Sequence, residues 1–286
     1  MLSMSPVAAS ESEMSNRTYK IDDLILLMSR LRDPQTGCPW DLEQDFHSLA
    51  PYMLEEAYEV VDTLERNDFA HFPEELGDLL FQVVFHSQVA SEKALFDFEH
   101  VVHVLTKKLI QRHPHVFPDG TLESKRDNLA KIVDTDVSVA WETKKQQERE
   151  NKGFRGALSD IPVGFPALTR AQKVQKRAAK VGFDWEGIAP VLDKVHEELS
   201  ELGEELDVGD KERLADEMGD ILFSVVNLAR HLHLDAESCL RASTRKFERR
   251  FSRMEEVVAE EGSSLEKLNN DELDQLWEIA KRIVKF

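Results

Sequence analysis

Apolar residues recur along most of this chain at intervals of three and four, as in Leu24/Leu27/Met28/Leu31, Leu76/Leu79/Leu80/Val83/Val84 and Leu214/Met218/Ile221/Leu222/Val225. That spacing follows the turn of an α-helix, whereas a half-buried strand alternates every second residue. It predicts helices near 21–32, 51–66, 73–92, 97–112 and 124–150, then near 166–180, 188–207, 210–232, 235–260 and 270–284. No segment combines strand alternation with hairpin turns. Long amphipathic helices joined by short connections pack as antiparallel bundles, so the expected fold class is all-α. Leu79–Val89 is apolar almost all round and should be buried on more than one face. A thick core within one domain would bury it, and so would a dimer interface.

The pattern occurs twice. Leu54-Glu55-Glu56-Ala57-Tyr58-Glu59-Val60 is echoed by His196-Glu197-Glu198-Leu199-Ser200-Glu201-Leu202, and Glu75-Leu76-Gly77-Asp78 by Glu217-Met218-Gly219-Asp220, both 142 positions later. Upstream, Gly37-x-x-Trp40-Asp41 matches Gly182-x-x-Trp185-Glu186. Downstream, Lys108-x-x-x-Arg112 matches Lys246-x-x-x-Arg250, and Trp141-Glu142-x-x-Lys145 matches Trp277-Glu278-x-x-Lys281. Five landmarks in one order indicate a tandem duplication, with short loop insertions accounting for the drift in offset. The length of 286 residues suits two domains at about 100–200 residues each. Between the copies, 151–166 holds Gly153, Gly156, Gly164, Pro162 and Pro166, a breaker density that reads as an exposed linker. The expected layout is an extension over 1–19, a helical domain over 20–150, the linker over 151–166, and a second helical domain over 167–286.

Composition narrows the function classes. The 12 Gly and 10 Pro are few for this length, in keeping with helices. No run approaches the roughly 18 uninterrupted apolar residues of a membrane span. Residues 1–19 lack the basic start and apolar centre of a signal peptide. Cys38 and Cys239 are too few and too far apart for a disulfide scaffold, which favours a cytoplasmic location. A formal charge of −19 argues against an anionic membrane or stable nucleic-acid binding. It leaves room for a small anion that arrives with a cation.

Glu198 and Glu201 lie three apart on one predicted helix, Glu217 and Asp220 three apart on the next, and such pairs share a helix face. If the two helices run antiparallel, four carboxylates converge. Glu56, Glu59, Glu75 and Asp78 form a matched second candidate metal group. Glu-rich faces are commonly solvated surface, and like charges at this spacing destabilise a helix by a few tenths of a kcal/mol. Here the acids are interleaved with Leu199, Leu202, Met218, Ile221 and Leu222. An all-oxygen donor set suits Mg²⁺ or Mn²⁺ rather than zinc, and loosely held Mg²⁺ commonly meets phosphates. Lys194, Arg213, Lys246 and Arg250 lie at helical spacing around the second set and could bind phosphate oxygens, or simply form surface ion pairs. Trp277 could stack on a nucleobase or anchor a helix core. His113-Pro114-His115 and His231-x-His233 read as structural or surface groups rather than metal ligands. The basic cluster Arg241, Arg245, Lys246, Arg249, Arg250 and Arg253 is accounted for by a single-nucleotide site.

The paired ExxE…ExxD helices, the Lys-x-x-x-Arg and Trp that follow, and the stretches Arg170-Ala171-Gln172-Lys173 and Gly182-Phe183-Asp184-Trp185 closely resemble MazG, over residues 20 to 286. The MazG family belongs to the all-α NTP pyrophosphatases, with the dimeric dUTPases and phosphoribosyl-ATP pyrophosphohydrolase. The resemblance implies Mg²⁺-dependent hydrolysis of nucleoside triphosphates to monophosphate and pyrophosphate, a homodimer, and a role in nucleotide-pool housekeeping or stress. On it, Glu198, Glu201, Glu217 and Asp220 would hold metal. Lys194, Arg213, Lys246, Arg250, Trp277 and Lys281 would hold substrate. Glu197 would orient or deprotonate the attacking water, or hold a further metal. The first half has Tyr52 and His71 where the second has Lys194 and Arg213, so the second half is expected to carry the main activity. The alternatives are a nucleotide-sensing or partner-binding module without turnover, or a narrower dUTPase-like or phosphoribosyl-ATP activity.

Overall fold

The computed structural model describes residues 18–125, 144–145, 148–149, 151 and 153–284, and every described element is helical. The chain divides into two compact units, Met1–Lys144 and Lys145–Phe286. Most of the helix expected over 124–150, with Trp141, lies outside the described residues.

The first unit contains α1 (Ile21–Leu31), the short α2 (Pro39–Glu43), α3 (Phe46–Arg66), α4 (Phe72–Glu92) and α5 (Phe98–Arg112). α3 packs along α4, with α1 and α5 also against α4. Asn67 in the left-handed region ends α3, and the chain turns back into α4 within five residues. Met28, Leu49, Val84, Phe85 and Val89 are buried together where α1, α3 and α4 meet, with Phe46, Phe81 and Phe98 packed around them. Of the apolar stretch Leu79–Val89, the later part is buried, whereas Leu80 remains exposed.

α3 starts five residues earlier than the periodicity indicates. Asp45 accepts hydrogen bonds from the backbone N–H groups of His47 and Ser48, and the Ser48 hydroxyl accepts from the Asp45 N–H at 2.8 Å. This reciprocal cap satisfies donors that helix geometry leaves orphaned. Pro51 therefore sits inside the helix rather than at its start.

The second unit contains α6 (Ala167–Ala179), α7 (Ala189–Val208), α8 (Lys211–His231), α9 (Ala236–Glu260), a 3₁₀ turn (Leu265–Lys267) and α10 (Asn270–Ile283). α7 and α8 are joined only by Gly209 and Asp210. Gly209 takes φ +75°, and Asp210 caps α8 by accepting from the Glu212 N–H at 2.9 Å, so the chain reverses at once. α6 packs on α8, as α1 does on α4. Met254, Val258, Leu276 and Ala280 form a separate buried cluster between α9 and α10.

Two charged clasps tie these elements. Arg32, at the end of α1, donates to Glu92 of α4 at 2.8 and 2.6 Å and to the carbonyls of Asp41 and Gln44 beside α2. In the second unit, Asp184 in the α6–α7 loop accepts from Arg230 at 3.0 Å and contacts His231 at 3.0 Å, both near the end of α8. Hydrogen bonding to Arg230 holds the Asp184 carboxyl down to about 2, with the Trp185 N–H and His231 contributing and burial opposing.

The Arg32 side chain is 7% exposed and its partner Glu92 34%. Arg32→Ala is expected to cost about 3 kcal/mol, because Glu92 loses the partner for a partly desolvated charge. Arg66→Ala, which breaks the exposed pair with Asp62, should cost less than about 1 kcal/mol. Urea unfolding of the two variants tests the contrast. For Asp184 the folded pKa is depressed, so its stabilisation is full above the ordinary carboxylate pKa of about 4 and is lost as pH falls towards 2. Asp184→Asn should lower the thermal midpoint at pH 7, with the gap to the parent closing between pH 4 and pH 2.

Candidate functional site

The two-residue turn sets α7 and α8 side by side, and the acids of each helix meet across the seam. Oxygen atoms of Glu198, Glu201 and Glu217 all lie within 4.8 Å of one another. Glu198 is only 4% exposed, Glu217 is half-buried and Glu201 is exposed. Desolvation is the main force pushing the Glu201 and Glu217 carboxyls above the ordinary range. The charge of Glu198 adds to both, and Asp220 adds to Glu217 from outside the close triplet. Desolvated like charges favour either protons or a cation. Three hard oxygen donors on two helices are a donor set that a divalent cation such as Mg²⁺ or Mn²⁺ fits.

The first unit repeats the arrangement with a change. There the close triplet is Glu56, Glu75 and Asp78. Glu59 hydrogen-bonds to both Glu56 and Glu75, and desolvation again leads the upward shift of those two carboxyls. Three of each matched set of four thus form a close triplet; Asp220 lies outside it in the second unit, while in the first Glu59, though outside the triplet, bonds two of its members.

The cations divide into two groups. Lys194 of α7 pairs with Glu198 at 2.7 Å and Glu197 at 2.8 Å, and these hydrogen bonds, that to Glu197 first, raise its pKa well above the usual lysine range. Arg213 of α8 pairs with Glu205 at 3.1 Å and is 65% exposed. The equivalent residues of the first unit do other work: Tyr52 packs edge-on against Trp40 at 5.8 Å, and His71 contacts Asp68 at 3.0 Å. Lys246, Arg250 and Trp277 belong to the α9–α10 region instead. The Arg250 guanidinium lies 5.9 Å from the Trp277 ring centre, with a buried Nε that has no hydrogen-bond partner. Trp277 also packs 5.2 Å from Phe247 and against the buried α9–α10 cluster, which is where a helix-anchoring Trp belongs. Lys281 pairs with Glu278 one turn earlier.

Sequence reasoning missed the surroundings of Lys194. A cavity of about 240 Å³ lies beside it, walled by Val174, Gln175, Phe183, Trp185, Phe223 and Asn227 among others. Spacing gives no sign of it, because its walls come from α6, α7, α8 and the loops on either side of α6. The Gly182-Phe183-Asp184-Trp185 stretch served the sequence reading as a repeat landmark and a family resemblance, whereas in the fold Asp184 latches the loop that supplies this wall. His231 is part of that latch, and His113 contacts the Leu109 carbonyl at 2.6 Å.

Comparison with known proteins agrees with this geometry. The profile of the MazG nucleotide pyrophosphohydrolase domain matches residues 44–117 and 188–254, one segment over each acid cluster. The chain is 48% identical to a nucleoside triphosphate pyrophosphohydrolase of Escherichia coli K12 over 92% of its length and 97% of that protein. It is 42% identical to the nucleoside triphosphate pyrophosphohydrolase/pyrophosphatase MazG of Thermotoga maritima, over 91% of the chain and 95% of the relative. A nucleoside triphosphate pyrophosphohydrolase of Mycolicibacterium smegmatis is 35% identical over 66% of the chain and 54% of that protein. Two acid clusters on paired helices, two matched segments and two relatives aligned nearly end to end lead to one conclusion: the chain belongs to the MazG nucleotide pyrophosphohydrolase family.

Proposed function

We propose that the chain hydrolyses nucleoside triphosphates, ribo or deoxy, to the monophosphate and pyrophosphate, with the second unit as the main catalytic centre. The observation that carries this reading is the close triplet Glu198, Glu201 and Glu217 with Lys194 bonded to its buried member. In the first unit the matching triplet has Tyr52 in place of that lysine. Relatives named as nucleoside triphosphate pyrophosphohydrolases support the substrate class.

Glu198, Glu201 and Glu217, with Asp220 at the edge, would hold Mg²⁺ or Mn²⁺. When bound, the cation neutralises phosphate charge and lowers the pKa of a bound water. The chain's own groups do the rest. Lys194 moves from its carboxylate partners to phosphate oxygens, which releases Glu197 to orient and deprotonate the attacking water. Glu197 suits that role because it is 55% exposed and bonded to the same lysine. Arg213 reaches the phosphate chain from α8, and Lys246 and Arg250 brace it from α9. Among the described residues the helices offer no nucleophile paired with a base, in keeping with direct attack by water. A second copy of the chain would cover apolar side chains that each unit leaves open, such as Leu80 and the 52%-exposed Leu222, and form a homodimer. Cys38 and Cys239 are both free thiols, which suits the cytoplasm, and no described helix is long and apolar enough to cross a membrane.

Incubation with each NTP and Mg²⁺, followed by product separation, tests the reaction. Monophosphate plus pyrophosphate supports it; tight nucleotide binding without products supports a sensor; turnover of a single nucleotide supports the narrower activities. Glu198→Ala should lower kcat by about 10²-fold or more, whereas Glu56→Ala should leave most of the activity. Equal losses would overturn the assignment to the second unit. Cation binding should also stabilise the fold, by about 2.7 kcal/mol at ~100 times its Kd. The thermal midpoint should therefore rise with millimolar Mg²⁺, fall back with chelator, and respond less in the Glu198→Ala/Glu56→Ala double variant.

A further inference from the structure

Residues 154–159, from the glycine-rich linker, turn back on the end of α6 and close a second cavity of about 390 Å³. Gly156 sits at φ +103°, a backbone conformation that a side chain there would strain. Across that turn the Ser159 hydroxyl donates to the Gly156 carbonyl at 2.7 Å. Arg177 of α6 pins the segment by donating from Nη1 to the carbonyls of Ala157 at 3.3 Å and Ser159 at 3.5 Å. The cavity lies wholly within the second unit and shares no lining residue with the one beside Lys194. Ala157 and Ser159 line the new cavity, while Leu158 between them lines the other.

The wall is strongly basic. Arg149 contributes from just before the linker, Arg155 from within it, and Arg177 and Lys180 from the end of α6. Cations at a helix C-terminus complement its macrodipole, which accounts for Arg177 and Lys180. It does not account for Arg149 and Arg155, which come from other segments and line the same space. The chain carries 55 acids and a net charge of −19, yet among the described residues no acidic side chain lines this cavity. The Nη1 of Arg149 is moreover buried with no hydrogen-bond partner. A guanidinium only donates, and a buried donor left unpaired is costly, so what the wall lacks is an acceptor.

We propose that this cavity binds an oligophosphate anion of two or more phosphates through the chain's own cations, without a divalent metal. Guanidinium forks match phosphate oxygens bidentately, and cations brought in from three segments suit a phosphate chain better than one phosphate. The volume falls within the ~300–1,000 Å³ usual for small-molecule sites. Phe154 and Val181 add apolar surface for an organic group attached to the phosphates. The ligand is therefore a free oligophosphate or the phosphate chain of a nucleotide. The acid seam has the opposite character, since its carboxylates repel phosphate unless a cation comes with it. The inference stands apart from the hydrolytic reading, because it uses none of those acids.

Titration calorimetry on the full-length protein, in buffer freed of divalent metal, tests this with inorganic phosphate, pyrophosphate, tripolyphosphate and ATP as probes. Pyrophosphate should bind saturably to the parent and equally well to Glu198→Ala, whose change lies in the acid seam. Arg149→Ala/Arg155→Ala should weaken it by about 10²-fold or more, through the loss of two charge-assisted donors. A second variant, Arg155→Gln/Lys180→Gln, replaces two exposed side chains and should weaken it about tenfold or more. Thermal melts report whether each variant is folded. ATP binding tighter than tripolyphosphate supports the site with a nucleotide as its ligand, and the reverse order supports it with a free oligophosphate. No saturable binding of pyrophosphate, tripolyphosphate or ATP without metal overturns the site. Undiminished binding in both folded double variants, or binding lost in Glu198→Ala, overturns its location. Inorganic phosphate that binds as tightly as pyrophosphate overturns the choice of an oligophosphate.

Discussion

Gathering carboxylates on the seam between two helices is the constraint on which the arrangement turns. Three oxygen donors within 4.8 Å of one another repel, and Glu198 does so with almost no water around it. The backbone answers with a rigid frame. Gly209 and Asp210 reverse the chain in two residues, so α7 cannot slide away from α8 to relieve the repulsion. Lys194 supplies a partial remedy by pairing with Glu197 and Glu198. The remaining charge favours protons or a cation.

Duplication let the two copies meet this constraint differently. Both retain an acid triplet, yet the first unit has a filled interior, an aromatic contact at Tyr52 and a His71–Asp68 pair. The second keeps a lysine on Glu198 of its triplet, an arginine on Glu205 outside it, and a hollow beside the lysine. Packing and openness are alternative uses of the same helical frame. Space that the second unit leaves hollow is core in the first, where the burial of a side chain such as Phe85 is worth about 1.5–3 kcal/mol.

The helices were largely legible because apolar periodicity reports directly which face is buried. Facing acids were legible for the same reason: residues three apart share a face, and a short turn brings two such faces together. What periodicity could not convey was capping and volume. Asp45 and Ser48 start α3 ahead of Pro51 through local hydrogen bonds that leave no apolar signal. The short α2 is too brief to show a period. The cavity depends on Val191 and Asn227 differing in size and shape from Leu49 and Phe85, and single residues reveal that only once their neighbours are known. Asp184 and Arg230 are 46 positions apart, so nothing local links them.

The salt bridge of Lys194 bears on how a nucleotide gains entry. With that ammonium already neutralised by two glutamates, the pocket shows an approaching phosphate chain mainly negative charge. Under the proposed reading, a triphosphate with its cation bound would meet less repulsion there than a bare one. The clasp thus leaves the site with a lysine whose charge is already spent on its own acids, so an anion that reached it would have to displace a carboxylate first.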